Sequence, residues 1–359
     1  MAKSLSIKWQ RIIASDTIKR SSQVIAIAND KVHIFGGEIV PREPVGSNVY
    51  ANPKITRLPG LKDSSTTTQP ASPTSPCPRV GSASATINNT AYLFSGRGGT
   101  AMSPISEHGL IWSLNLDTLT WTPLRSSDPS APYPPARNYH TLTSNSTSTL
   151  YLHAGCPASG RLSDLWSFGI PARRWTQLAS APDPPRGGTS IVYAAGKLYR
   201  LGGFDGTREL GGCVDVYTPA PDSWDTLPFT DVGPEARSVA GLAAVEVVGR
   251  VVLLSLFGER DPSSLGYQGA GKMLADVWAY DVESGVWAEV LQEGDGLPEP
   301  RSLEQRHEQL LDKKCLNCHR HRGLVSLFLI FYRDPHLCRV HPSSLHIGLH
   351  KKPISKERV

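Results

Sequence analysis

Long apolar runs are missing from this chain of 359 residues. The longest, Leu324 to Tyr332, falls far short of the ~20 residues a membrane span needs, so no spanning helix is expected. Met1 to Gln10 is polar and has no apolar core, which argues against a signal peptide. Cysteine is sparse, with six in all. Cys77, Cys156 and Cys213 are scattered singly and the other three follow residue 302, so no disulfide framework is spelled out. A reduced, cytoplasmic setting is the expectation. No nucleophile elbow, phosphate loop or paired-carboxylate motif appears. Net charge is missing too from most of the chain. The last 57 residues carry +6 of a total of +5, which leaves about −1 for residues 1–302. A nucleic-acid partner inferred from overall basicity would rest on that tail alone, so none is expected.

What is present is a repeat. Between Arg186 and Leu227 the order is arginine, a short apolar run, a Gly turn, a second run ending in Gly202-Gly203, a third run from Cys213 to Tyr217, then Trp224. Short runs separated by Gly, Pro and Asp turns read as four strands. The arginine recurs at Arg20, Arg79, Arg137, Arg186, Arg237 and Arg301. The glycine position recurs as Gly36-Gly37, Ser95-Gly96, Ala154-Gly155, Gly202-Gly203 and Phe257-Gly258. Third runs carry Val49-Tyr50, Ile111-Trp112, Leu165-Trp166, Val214-Asp215 and Val277-Trp278, and the closing tryptophan recurs at Trp9, Trp121, Trp175, Trp224 and Trp287. The glycines let a strand end pass close to its neighbours, and the aromatics fill gaps between units, so both read as architecture rather than catalysis.

This pattern resembles kelch repeats over residues 5–302. The spacings, 49 to 64 residues, fit kelch units of about 50 with long loops. The resemblance implies an all-β, six-bladed propeller. Blades are expected at about 20–58, 79–124, 137–178, 186–227 and 237–292, with the strand at 5–13 belonging to the last blade. The Ser/Thr/Pro-rich stretch Pro59 to Pro78 reads as a flexible connection.

A sixth blade should begin at Arg301, but the composition changes at Ser302 and no Gly-Gly follows. Residues 303–359 form a basic, His- and Cys-containing tail that reads as disordered, or as a translated intron or shifted frame. Cys315-x2-Cys318-His319 has the form of a haem-attachment site, and with Cys338 and His341 it resembles a tetrahedral zinc set. Neither export nor a supporting fold accompanies them, and chance sequence accounts for both patterns.

In a propeller the loops after each second strand gather at one mouth. They would bring together Glu38, Arg42, Arg97, Arg161, Glu259, Arg260, Asp261 and Tyr267. Guanidinium groups there suit a sulfate, phosphate or carboxylate. The bland alternative is a set of solvated loop charges. His140, at the start of the third unit, reads as a structural inter-blade donor. Three phrases carry a narrower resemblance, to the nitrile-specifier and thiocyanate-forming kelch proteins of glucosinolate breakdown. They are Phe35-Gly-Gly-Glu38-x-x-Pro-Arg42-x-Pro-Val, Gly160-Arg161-Leu-Ser-Asp-Leu-Trp166, and the run from Gly258 through Glu259 to Gly271. That family implies Fe(II) held by Glu-x3-Asp-x3-His. Here the frame reads Glu259, Ser263, Tyr267, so only the glutamate matches. Arg97 and Arg161 occupy places like those the family uses for its substrate's sulfate. The expected function is therefore binding of a small anionic ligand or a partner at the mouth, and the resemblance implies that any catalysis would be of the lyase or specifier type. The alternative is a non-catalytic protein-interaction scaffold.

Overall fold

The computed structural model describes residues 5–9, 20–28, 31–46, 48–52, 65–69, 74–247, 249–263, 271–294 and 297–301. Their alternating apolar runs form five four-stranded antiparallel sheets, each with its strands in sequence order. Blade one comprises Ser21–Ala28, Lys31–Glu38, Asn48–Asn52 and Ser65–Gln69. Blade two comprises Ala83–Ile87, Thr90–Phe94, Ile111–Asn115 and Thr120–Leu124. Blade three comprises Thr141–Ser144, Thr149–Gly155, Leu162–Gly169 and Arg174–Leu178. Blade four comprises Ser190–Ala194, Lys197–Leu201, Cys213–Thr218 and Ser223–Pro228. Blade five comprises Gly241–Val247, Arg250–Leu256, Val277–Asp281 and Val286–Glu289.

The first strands of blades one to five lie side by side in order. Together they line a central channel of about 220 Å³. This is the arrangement of a propeller, all-β and without helices among the described residues. Inner strands expose backbone groups that need partners. Hydroxyls supply some across blade boundaries. Ser84 donates to the Ile25 carbonyl (3.3 Å), Ser144 to Thr86 (3.3 Å) and Ser190 to Ala240 (2.6 Å).

The recurring aromatics wedge successive blades apart. Trp121 of blade two packs on Phe35 of blade one, with ring centroids 5.0 Å apart. Trp175 packs on Phe94 (5.5 Å) and Trp224 on His153 (5.6 Å). His153 is fully buried, and burial holds it neutral, well below the usual histidine range.

The arginine and the glycines form a second frame. The N–H of each second glycine donates to the carbonyl of the arginine that opens the next blade. These bonds are Gly37 to Arg79, Gly96 to Arg137, Gly155 to Arg186, Gly203 to Arg237 and Gly258 to Arg301, all 2.8–2.9 Å. Each guanidinium then bonds the carbonyl before that second glycine in its own blade, as Arg20 does to Gly36 (3.0 Å) and Arg237 to Phe257 (2.8 Å). Gly36 has a φ of +67°, and an added Cβ would lie 2.6 Å from the Arg79 carbonyl oxygen. Gly36→Ala is therefore expected to cost at least about 2 kcal/mol, from left-handed strain plus that clash. A urea titration checks it, and a cost below half of that would mean the backbone gives way there.

One boundary differs from the sequence reading. Blade one was expected to end near Leu58, with a flexible connection beyond. Its outer strand is instead Ser65–Gln69, paired with Asn48–Asn52. The run Thr66-Thr67-Thr68 is β-branched, and an outermost strand tolerates such polar sequence. Past blade five, Ser6–Lys8 pairs in parallel with Leu291–Glu293, and Trp9 packs on Phe257 at 5.6 Å. The sixth blade expected from the sequence is not seen among the described residues beyond this pairing, and the tail from residue 303 lies outside them.

Candidate functional site at the loop mouth

Two residues after each blade-opening arginine the chain takes a left-handed turn. Ser22, Gly81, Tyr139, Gly188 and Val239 have φ of 53°, 62°, 50°, 61° and 46°. They are joined around the axis by backbone bonds. Gly81 donates to Ser22 (3.1 Å), Tyr139 to Gly81 (2.9 Å), Gly188 to Tyr139 (2.8 Å) and Val239 to Gly188 (2.7 Å). This girdle runs at the mouth end of the channel. A left-handed valine is unusual, since branching at Cβ crowds the backbone there. The loops that follow the second strands rise around the girdle.

On blade one, Glu38 and Arg42 belong to a single tight turn. Glu38 Oε2 accepts from the Arg42 N–H at 2.8 Å, and Arg42 itself is exposed. The turn lifts Ile39 and Val40 into solvent, 56% and 50% exposed.

Arg97 and Arg161 are placed differently. Arg97 Nη2 donates to the Tyr139 hydroxyl at 2.7 Å, and its guanidinium carbon lies 4.9 Å from that ring's centroid. Arg161 lies over the Phe204 ring at 5.0 Å. Gly206 adjoins it, where an added Cβ would fall 2.6 Å from Arg161 Nη1. Each guanidinium thus lies over an aromatic ring of the next blade, within cation–π distance. Both keep a buried Nε with no hydrogen-bond partner. Neither has an ion-pair partner among the described residues.

The opposite side of the mouth is acidic. Glu259 Oε1 accepts from the Gly271 N–H at 2.6 Å. Arg260 is bound by Glu235 and by Asp261 (2.9 Å), so its charge is spent within the rim. Glu209 of blade four joins this group. Burial raises its carboxyl above the ordinary range, and Glu259 and Asp261 push the same way. Tyr267 lies outside the described residues.

The residues present do not fit ferrous iron. The frame offers one carboxylate, Glu259, engaged by a backbone N–H, and a serine at 263. No cluster of three His, Cys, Asp or Glu side chains suited to a metal occurs among the described residues. The Cys315/Cys318/His319 and Cys338/His341 patterns lie outside them. His140 is packed edge-on against Phe94 at 5.7 Å, and burial holds its pKa down to about 3. It is an inter-blade wedge.

Sequence reasoning named both arginines but missed what holds them. Phe204 follows Gly202-Gly203 directly, a usable signal. Glu209 carries none, because loop lengths vary and only the fold aligns it, and Tyr139 carries none because its place after the arginine holds Ser22, Gly81, Gly188 and Val239 in the other blades.

A family model described as the KLHDC2/KLHL20/DRC7 Kelch-repeats domain matches residues 21–258. The chain is 28% identical over 317 residues to N-(sulfonatooxy)prop-2-enimidothioate sulfolyase of Thlaspi arvense, covering 80% of this chain and 84% of that protein. It is 25% identical to Adagio-like protein 3 of Oryza sativa subsp. japonica, over 72% of this chain and 41% of that protein. It is 34% identical to Kelch domain-containing protein 2 of Bos taurus, over 28% of this chain and 23% of that protein.

Proposed function

We propose, from the premise that this chain belongs to the kelch-repeat family, that its mouth binds a small anionic ligand between Arg97 and Arg161. The ligand class is an organic sulfate, phosphate or carboxylate. One observation carries the reading: two guanidinium groups lie over the rings of Tyr139 and Phe204, and neither is matched to a carboxylate among the described residues. The other arginines of the mouth that form ion pairs, Arg208 and Arg260, are each matched to a carboxylate. The 28% identity to a sulfolyase supports the same ligand class. Without a fitting metal set the reading stops at binding. The cytoplasm is the compartment proposed, because the cysteines are few and spell out no disulfide framework.

Calorimetric titration with an aryl sulfate tests this. A charge-assisted hydrogen bond contributes about 1.5–3 kcal/mol. Arg161→Ala should therefore weaken binding by at least about tenfold, and Arg97→Ala similarly. Arg42→Ala should leave it unchanged, because Arg42 is exposed. A wild-type chain that binds no sulfate, phosphate or carboxylate ends the proposal.

A second reading, a protein-interaction surface, is favoured by the braced apolar tip Ile39-Val40. Ile39→Asp would abolish capture of such a partner while leaving anion binding intact. Loss of both together would show that the tip only shapes the mouth.

A further inference from the structure

Blade four breaks the pairing rule of its neighbours. Arg79, Arg137 and Arg237 each grip a carboxylate through two nitrogens. The acids are Glu107 (2.9 and 2.8 Å), Asp164 (2.6 and 2.8 Å) and Asp276 (2.8 and 2.7 Å). In blades three and five the acid stands two residues before a tryptophan whose indole also donates to it. Blade four has Cys213 in the acid's place and Asp215 in the tryptophan's.

The consequence is an electrostatic mismatch. Asp215 turns to Arg200, taking bonds from Nε (2.9 Å) and Nη2 (2.7 Å), and accepts from the Thr226 hydroxyl (2.7 Å). Arg186 reaches Asp215 only at 4.0 Å. Two buried guanidinium groups thus share one carboxylate. Arg200 is fully buried and its Nη1 has no hydrogen-bond partner. Burial pushes Arg186 down to about 10 and lowers Arg200 as well, with Asp183, Asp205 and Asp215 acting in the opposite direction.

Strand register locates the gap. Leu198 faces Tyr217, Tyr199 faces Val216 and Arg200 faces Asp215. Two residues further, Cys213 comes opposite Gly202, whose carbonyl accepts from Arg186 Nη1 at 3.2 Å. In blade three the same construction puts Asp164 beside the Ala154 carbonyl that Arg137 binds. Cys213 is half-buried, at the mouth end of its strand, within electrostatic reach of both arginines.

We propose that Cys213 is a site of oxidative modification, and that its sulfinate fills the missing carboxylate position beside Arg186 and Arg200. A sulfinate, like a carboxylate, presents two oxygens and one negative charge. The oxidant is hydrogen peroxide. The sulfur attacks one peroxide oxygen, the O–O bond breaks, and the other oxygen leaves as water once protonated, giving the sulfenic acid. A second peroxide adds the second oxygen in the same way. Sulfur is oxidised, peroxide is reduced, and the sulfinic acid releases its proton. Burial and the Asp215 carboxylate push the thiol up, which slows the first attack. The guanidinium groups favour the anionic product, so the site reacts slowly and then holds. Cys77 lacks this pull. Arg79 Nη2 touches its sulfur at 3.3 Å, but that guanidinium is already matched by Glu107.

The test is a peroxide titration of the full chain carrying Cys77→Ser and Cys156→Ser, read by peptide mass and by thermal melting. The Cys213 peptide should gain two oxygens, and Tm should rise by at least roughly 2 °C as the ion pair forms. Cys213→Asp in the same background should melt higher without peroxide. Cys213→Ser should show no rise with it. An oxidised Cys213 with an unchanged or lowered Tm overturns the proposal. So does a Cys213→Asp chain that melts below its parent, or a Cys213 that stays a thiol when the Cys77 and Cys156 of the unsubstituted chain are fully oxidised.

Discussion

Replacing Arg237 by methionine is expected to destabilise the protein by about 3–5 kcal/mol, the cost of leaving one member of a buried ion pair without the other. Arg237 is 1% exposed. Its Nη1 donates to the Phe257 carbonyl (2.8 Å) and to Asp276 Oδ1 (2.8 Å), its Nη2 to Oδ2 (2.7 Å), and its Nε to the Glu235 carbonyl (3.0 Å). Methionine fills the hydrocarbon volume but donates nothing, so two carbonyls and a carboxylate lose their partners. Water reaches the Asp276 side chain, which is 24% exposed, so the lower end of the range applies. The Gly203 N–H still bonds the residue-237 carbonyl, so the backbone frame survives and only the side chain is tested. Urea unfolding should show an earlier midpoint with an unchanged m-value. Adding Asp276→Leu should recover part of the loss, because removing both charges abolishes the stranded one. A single-variant cost under about 1 kcal/mol would show that these pairs do not hold the blades together.

The same pair sets an acid limit. Burial pushes the Asp276 carboxyl up, but the bonds and charge of Arg237, with the Trp278 indole, win and hold it below 3.8. A carboxyl depressed in the folded state stabilises the fold above its unfolded value. That contribution is lost as pH falls through the folded one. Below pH 3.8 the wild type should therefore weaken more steeply than Arg237→Met, which has no such pair to lose. Equal slopes in acid-unfolding curves would assign the acid sensitivity elsewhere.

Much of this frame was legible because its parts are chemically unequal to their surroundings. An arginine at a strand start, a glycine at a strand end and a tryptophan on the outer strand each answer a need that recurs in every blade. The girdle was invisible for the opposite reason. Its five members are Ser22, Gly81, Tyr139, Gly188 and Val239, which share a backbone conformation and no side-chain property. Ser65–Gln69 was passed over because a polar, Thr-rich outer strand reads like a linker until its pairing partner is seen. Arg97 and Arg161 were found from their loops, yet the sequence placed them in one undivided charge cluster. Folding separates them from Arg260, whose charge Glu235 and Asp261 absorb. Val214-Asp215 passed in the sequence as an ordinary member of the third-strand series. Only the strand register shows it as a displaced acid that leaves Cys213 behind.

Trp9→Ala should cost about 3–5 kcal/mol, the range for truncating a large buried aromatic, and lower Tm by roughly 5–10 °C. Trp9 is 2% exposed and packs with Val247, Val252, Phe257, Val277 and Val290 of blade five. Its indole donates to Gln292 Oε1 at 2.8 Å, and its backbone N–H to the Glu293 carbonyl at 2.8 Å. It does for blade five what Trp121 does for blade one, although over two hundred and eighty positions separate it from Gln292. The strand that carries it is only three residues long, Ser6–Lys8, and runs parallel to Leu291–Glu293. So short a pairing is weak on its own, which makes the side chain the anchor and the strand its leash. Deleting residues 1–9 should therefore cost little more than Trp9→Ala alone. If the deletion costs more than twice as much, the strand pairing is the stronger tie and Trp9 only fills space. Amide exchange separates the two cases directly. In Trp9→Ala the Leu291 N–H, which bonds the Leu5 carbonyl at 3.0 Å, should lose protection together with the N–H of residue 9.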